Sequence, residues 1–226
     1  MSIDNRIGKE YMKRIGITQR VEVIEGWNER RNALSQEWEQ LAKECGFLPI
    51  FLPNDETLAL QLIEELDIDG ILLTGGNNLI SYGGDAAERD QTERALIAYA
   101  IEKGLPLLGI CRGMQMILDY FGIPLQKVID HIRVEHLLDT GKTVNSYHSF
   151  GVMESDCKAP IIIKAVAQQD RVVEWIGHNR YPNIHGIMWH PERYHPFREE
   201  DMALLKEIFQ IEVLYKEKQG NEKRRN

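Results

Sequence analysis

Cys111 lies in the stretch "LPLLGICRGMQMILDYFG", where an apolar run gives way to a helical pattern. Gly109 and Gly113 stand two residues to either side of it. That spacing belongs to a sharp strand-to-helix turn that exposes a nucleophile, and small residues let neighbouring backbone approach where a Cβ would clash. The turn also places the sulfur at a helix N-terminus, whose partial positive charge favours a thiolate. A thiolate becomes a catalyst only with a base and a group that orients the base. "GIMWHPER" offers both: His190 ends an apolar strand, Glu192 follows two residues later, and Pro191 stiffens the link. The strand period of two predicts that both side chains point the same way, Glu192 holding one imidazole nitrogen and the other facing Cys111.

A thiolate attacking a carbonyl needs donors for the developing oxyanion, each worth about 2.7–4 kcal/mol of barrier. The backbone N–H of Arg112 is one by its place after the nucleophile. "LLTGGNN" offers Gly75 and Gly76 for the second. No GxxxxGK[ST] or GxGxxG pattern follows those glycines, so nucleotide-hydrolase and dinucleotide readings have no support. Of the seven histidines, His131 and His136 fall in a charged, helical or irregular stretch with no acid partner at strand spacing. His178, His185 and His195 read as surface or packing residues, and His148, in "VNSYHSFGV", as a further site residue. Cys45 and Cys157 read as idle free thiols. Three widely spaced cysteines make no disulfide framework, and no CxxC, HxH or HExxH pattern suggests a metal site.

Positioning these residues requires a sheet with one functional edge. "RIGIT", "FLPIFLP", "DGILLTGG" and "LPLLGI" read as strands without polar alternation, as in a parallel sheet covered on both faces. Between them, "DETLALQLIEEL" reads as a helix with an acidic cap and "ERDQTERALIAYAIEKG" as a helix stopped at Gly104. Leu34, Trp38 and Leu41 fall at helical spacing in the segment after "RIGIT", with Gly46 as its stop. The alternation predicts βαβ units in a doubly wound α/β fold, whose ligands sit beyond the carboxyl ends of the strands. After Gly122, four strand-like runs in succession predict an antiparallel extension. The spacing predicts a last helix over Asp201 to Lys218 and a frayed tail over 217–226.

The chain has 226 residues, a net charge of −8, 43% hydrophobic and 27% charged residues, which suits one α/β domain over 1–226. The acidic balance argues against a nucleic-acid partner. No apolar run is long enough to span a bilayer, and the first residues lack an apolar signal core, so membrane association is not expected and the protein reads as cytoplasmic.

"LLTGG", "YGG" followed by "ERDQTE", "GLPLLGICRGMQMI", "VNSYHSFGV" and "GIMWHPE" occur in that order between Ile71 and Glu192. Together they resemble the class I glutamine-amidotransferase-like hydrolases, and within them the γ-glutamyl hydrolase branch. The resemblance implies a flavodoxin-like, mostly parallel sheet flanked by helices. It implies a triad of Cys111, His190 and Glu192, and an oxyanion held by the N–H groups of Gly76 and Arg112. Gln115 would help hold the glutamyl group, its position one turn after Cys111 agreeing with that. Asn145, Ser146 and His148 would lie near the same pocket. Phe150 stands where a glutamine is common in relatives. The reaction implied is hydrolysis of a γ-glutamyl amide through a thioester, with a small γ-glutamyl metabolite as partner and no metal or organic cofactor.

The leaving group is less constrained. "GITQR" ends the first strand at the edge that carries Cys111, so Gln19 and Arg20 are candidates to contact an anion there, and the Arg112 side chain is a third. "RIGITQRVEV" with "ERRNALSQEWEQL" resembles a bacterial subgroup of surface-polysaccharide pathways, which implies γ-glutamyl-CDP-amidate as substrate. A γ-glutamyl aminobutyrate or polyamine is the alternative, as is a glutaminase subunit feeding ammonia to a synthase. "TGGNN" lacks the proline that synthase partners commonly carry after the oxyanion glycine. A homodimer is compatible with the chain.

Overall fold

The computed structural model describes residues 11–211. The chain runs through β1 (Arg14–Ile17), β2 (Arg20–Ile24), β3 (Glu29–Ala33), α1 (Glu37–Cys45), β4 (Leu48–Phe51), α2 (Glu56–Glu65) and β5 (Gly70–Leu73). It continues through α3 (Ala87–Lys103), β6 (Leu107–Ile110) and α4 (Arg112–Tyr120). Then come β7 (Gln126–Lys127), β8 (Ile132–Leu137), β9 (Thr143–Tyr147) and β10 (Phe150–Gly151). β11 (Ile161–Val166), β12 (Val173–His178), β13 (Ile184–Ile187) and α5 (Glu199–Ile208) close the described part.

Seven strands form one sheet in the order β11-β12-β13-β6-β5-β1-β4. β13, β6, β5, β1 and β4 are parallel neighbours, and β11 and β12 extend the β13 side antiparallel. This is the doubly wound, mostly parallel sheet; of the four runs after Gly122 only β11 and β12 form the antiparallel extension, while β9 pairs with β8 in a separate two-stranded sheet and β13 runs parallel to β6. Strand alternation divides the core between two faces. Ile71, Leu73 and Leu107 pack with Ile63 of α2, Leu96 of α3 and Met114 of α4. Leu72, Leu108 and Ile110 pack on the opposite face with Leu41 of α1 and Leu205 of α5. Side chains of that size contribute about 1.5–3 kcal/mol each when fully buried. Continuous apolar strands are therefore what this architecture needs on both faces. Among the described residues, no helix is long and apolar enough to cross a membrane.

The stretch after "RIGIT" departs from expectation. Val21 and Val23 alternate with charged residues, and β2 pairs with β3 as a hairpin whose turn passes through Asn28 in the left-handed region, φ 48°. The helix begins only at Glu37, because the period-two pattern before it favours an extended ladder. At the other end, α5 stops at Ile208. The remainder of the predicted last helix beyond residue 211, and the tail over 217–226, lie outside the described residues.

Close backbone approach explains the glycines around Cys111. A Cβ on Gly109 would stand 2.4 Å from the carbonyl carbon of Gly113, and one on Gly113 would stand 2.2 Å from the carbonyl oxygen of Leu73. Neither neighbour can yield, since both are main chain. Gly113→Ala is therefore expected to lower stability by about 3 kcal/mol or more in urea unfolding. Gly26→Ala, which meets nothing within 4 Å, is expected to leave it nearly unchanged.

Candidate active site

The carboxyl ends of β1, β5, β6 and β13 converge on one edge of the sheet. Cys111 follows β6 directly and adopts φ 53°, ψ −106°, a conformation unusual for a residue with a side chain. Its N–H donates to the Ile187 carbonyl at 2.8 Å, which ties the turn to β13. α4 starts at Arg112, so the N–H groups of its first turn have no partner within the helix. The sulfur and those donors share the rim of the sheet.

His190 lies three residues beyond β13. Its Nδ1 is 2.7 Å from Glu192 Oε1, and its buried Nε2 has no hydrogen-bond partner. A Cβ on Gly75 would stand 2.7 Å from the imidazole Cε1 and 3.6 Å from the Cys111 Cβ, so ring and thiol bracket one glycine. Burial opposes a charge on His190, but Glu192 and the adjoining Cys111 outweigh it and push the imidazole pKa up to about 10. Glu192 does not reach His190 by strand alternation. The strand has ended, and Pro191 opens a one-turn 3-10 helix, Pro191–Arg193, closed by the Arg193 N–H donating to the His190 carbonyl. That turn brings the carboxylate back to the ring.

Asn145 fixes His190 from the other side. Its side-chain amide donates to the His190 carbonyl at 2.9 Å, and its Oδ1 accepts from the His190 N–H at 2.8 Å. Both ends of the Asn145 amide are thus spent on the His190 main chain. Tyr147 sets its ring edge-on against His190 at 5.6 Å, and the Arg193 guanidinium lies 4.1 Å from the Tyr147 ring centroid. Neither Tyr147 nor Arg193 stood out in the sequence, although both flank motif residues.

Gly76 has φ 89°, a conformation glycine adopts freely. The loop around it is held by Arg89, fully buried, which donates to the carbonyls of Thr74 at 2.7 Å, Gly75 at 3.1 Å and Gly76 at 2.6 Å. With those carbonyls turned toward Arg89, the loop's orientation is set from behind. Glu93 accepts from Arg89 at 2.9 Å and from the Thr18 hydroxyl at 2.8 Å. Burial opposes the Glu93 charge, but Arg112 and Arg89 outweigh it and hold its carboxyl below the usual range. The Arg112 side chain, 1% exposed, is engaged by Asp90 and Glu93. It is therefore withdrawn from any anion in the cleft, contrary to the third candidacy above. "ERDQTE" carried the Arg89–Glu93 pair at i, i+4, but nothing in the spacing showed that this face is buried.

Arg20 lies across the cleft, lining a cavity of about 210 Å³ together with Trp38, Gly76, His190, Glu192 and Arg193. A mutual amide clasp between Asn77 and Val21, with bonds of 2.8 and 2.9 Å, holds β2 against the glycine loop. Gln19 is not brought to this cavity. Its amide donates to the Leu52 carbonyl at 2.9 Å, at the β4 edge, because successive residues leaving β1 point to opposite sides. Gln115 is buried and donates to the Phe150 carbonyl at 2.9 Å, so main chain forms the wall at that position. Ser146 is fully buried and donates to the His131 carbonyl at 2.8 Å. His148 is buried with His131 and Glu174, away from the surface. His131 and His136, expected without acid partners, lie before and within β8. His131 is 2.7 Å from Asp170, a residue the intervening fold brings alongside. Burial pushes the Cys45 and Cys157 thiols up to about 12 and about 11, which leaves them protonated at neutral pH.

Residues 31–211 match the profile of the class-I glutamine amidotransferases. The chain is 32% identical over 206 residues to the gamma-glutamyl-CDP-amidate hydrolase of Campylobacter jejuni, covering 87% of this chain and 98% of that protein. It is 30% identical to anthranilate synthase component 2 of Thermococcus kodakarensis, over 62% of this chain and 73% of that one. A glutamine amidotransferase structure from Thermotoga maritima superposes with a TM-score of 0.59 at 16% identity, covering 89% of this chain and 87% of the other, and shares the fold. The chain belongs to the class-I glutamine amidotransferase family.

Proposed function

We propose that the protein is a cysteine hydrolase that cleaves the γ-glutamyl amide bond of a small metabolite through a γ-glutamyl thioester. One observation carries the reading: His190 is held by Glu192 at 2.7 Å through one nitrogen, and its other nitrogen is unpartnered beside Cys111. In the proposed reaction the Cys111 thiolate attacks the side-chain carbonyl. The N–H groups of Gly76 and Arg112 receive the oxyanion. The tetrahedral species collapses to the thioester as the His190 imidazolium gives its proton to the departing nitrogen. Water, losing a proton to His190, then attacks the thioester and releases glutamate and the free thiol. Gln115 and the Phe150 main chain border the glutamyl end, while Asn145 keeps His190 in register.

For the leaving group we propose γ-glutamyl-CDP-amidate, cleaved to glutamate and cytidine diphosphoramidate. The likeness to the Campylobacter jejuni hydrolase over nearly its whole length supports this. So does the presence of two arginines, Arg20 and Arg193, in the lining of the cavity beside Gly76 and His190. Arginine's planar fork suits phosphate oxygens. Arg20 pairs with Glu22 at 2.5 Å, but both are well exposed, and an exposed pair is worth little against a phosphate. A role in capsule polysaccharide modification would follow from that product.

The test compares kcat/KM on γ-glutamyl-CDP-amidate, γ-glutamyl-aminobutyrate, γ-glutamyl-putrescine and glutamine with the isolated protein. The nucleotide amidate is expected to lead. Glutamine leading only in the presence of a synthase would replace the hydrolase reading by a glutaminase subunit. Arg20→Ala is expected to raise KM for the nucleotide amidate about tenfold and to leave the neutral amides nearly unchanged, since one charge-assisted hydrogen bond is worth about 1.5–3 kcal/mol. Equal effects on both substrate types would remove phosphate contact from Arg20.

A further inference from the structure

Behind the main chain of Phe150, which Gln115 and His148 both contact, three buried side chains from distant segments meet in a triangle. His131 Nδ1 and His148 Nε2 are 3.2 Å apart, His148 Nε2 and Glu174 Oε1 3.3 Å, and His131 Nδ1 and Glu174 Oε1 3.5 Å. We propose that these three groups bind a divalent transition metal of the zinc type.

The edges of the triangle carry the proposal. Zinc bonds to histidine nitrogen and carboxylate oxygen of about 2.0–2.1 Å at tetrahedral angles place adjacent donors about 3.3 Å apart. All three edges lie within a few tenths of an ångström of that length, so an ion at the apex completes a tetrahedron with one position left for water. The outer partners match as well. His131 Nε2 is 2.7 Å from Asp170 Oδ2, and His148 Nδ1 is 3.0 Å from the Phe150 carbonyl oxygen. Ligating histidines characteristically donate their second N–H to a carboxylate or a carbonyl.

Those outer bonds decide which lone pairs point inward. A carbonyl can only accept, so His148 Nδ1 carries hydrogen and neutral His148 turns the Nε2 lone pair into the triangle. Asp170 likewise draws the hydrogen of neutral His131 to Nε2, leaving the Nδ1 lone pair inward. Glu174 adds an oxygen, and its other oxygen, Oε2, is buried without a partner. Three acceptors that meet with no donor among them require a cation or a proton at the centre. A single proton on His131 would be shared between two of them and would leave Oε2 orphaned. A metal ion satisfies all three, and a water on it can donate to Oε2.

Other charged and polar groups around the triangle are compatible with this. His136 packs its ring 4.1 Å from that of His131, its Nδ1 accepts from Gln169 at 2.8 Å, and its Nε2 is buried without a partner. Asp170 is one-third exposed and borders a surface concavity of about 510 Å³ with Lys127, Asp130 and Gln169, a route for ion entry. The ion would pin the segment before β8, the loop after β9 and strand β12 together. It would also steady Phe150, whose carbonyl serves both His148 and Gln115. Its role is therefore structural, and the site does not depend on the reaction proposed above.

The experiment uses the full chain with Cys111→Ser, which removes the thiol that could take zinc together with His190. After chelation and dialysis, zinc is titrated by calorimetry, and cobalt(II) is titrated separately and followed in the visible spectrum. One equivalent of either metal is expected, with a tetrahedral cobalt spectrum lacking sulfur charge transfer and a zinc-dependent rise in Tm. His131→Gln and Glu174→Gln are expected to weaken zinc binding more than tenfold. Asp170→Asn, at the partly exposed rim, is expected to weaken it about tenfold while a thermal melt confirms that the variant is folded. The proposal is overturned if the Cys111→Ser protein holds no zinc at micromolar concentration, or if Asp170→Asn and Glu174→Gln bind it as tightly as their parent. It is equally overturned if the chelated protein shows a His131 Nδ1–H resonance that added zinc does not remove.

Discussion

Cys111→Ala is expected to abolish hydrolysis, with kcat falling by about 10⁴-fold or more while the fold is kept, because Cys111 is the residue proposed to form the covalent intermediate. Stability should change little. The substitution keeps the Cβ at φ 53°, so the strain of the turn is the same in both proteins, and only the buried sulfur atom is lost. The check is twofold: steady-state release of glutamate, and mass spectrometry of acid-quenched reactions. Intact protein quenched during turnover should carry a γ-glutamyl adduct on Cys111, and the alanine variant none. Turnover at the parent rate by the variant would place the chemistry on another residue, and Cys45 and Cys157 are poor substitutes because burial keeps both protonated.

Glu192→Gln is the second large effect. The carboxylate orients the ring at 2.7 Å and, with Cys111, raises the imidazole pKa against burial to about 10. A raised pKa means that the protonated imidazole contributes stability below its unfolded value near 6.5. That contribution is lost as pH rises through about 10. In the proposed reaction the same protonated ring supplies the leaving group's proton. The alkaline limb of kcat/KM is therefore expected near pH 10 in the parent enzyme and should move toward neutrality in Glu192→Gln. Loss of the orienting charge is expected to lower kcat by about 10²–10⁴-fold, with KM little changed. A pH–rate profile separates this from a merely structural role. An unmoved alkaline limb would show that Glu192 does not act on His190.

The chain's local patterns reached far into this molecule. Apolar runs alternating with capped helices specify a parallel sheet, since strands buried on both faces have no polar positions. Gly109 and Gly113 around Cys111 specify the turn, since a Cβ on either would collide with main chain. "HPE" specifies that a carboxylate stays within reach of His190, although a 3-10 turn and not strand alternation delivers it. These features depend on neighbours within a few residues.

Contacts between residues remote in the chain were decided only by the tertiary structure. Arg89 carries no local signal of burial, yet it is fully buried and binds three carbonyls of the glycine loop. Asn145 looked like a substrate ligand and is instead clasped to the His190 main chain. Arg112 keeps its N–H at the rim while Asp90 and Glu93 draw its side chain inward. His131, His148 and Glu174 have no recognisable spacing, because three separate segments bring them within 3.5 Å. Local backbone geometry is encoded residue by residue and can be read from short spacings. The pairing of buried polar groups depends on which segments meet, and burial then makes each partner obligatory, since an unpaired charge in the interior is too costly to keep.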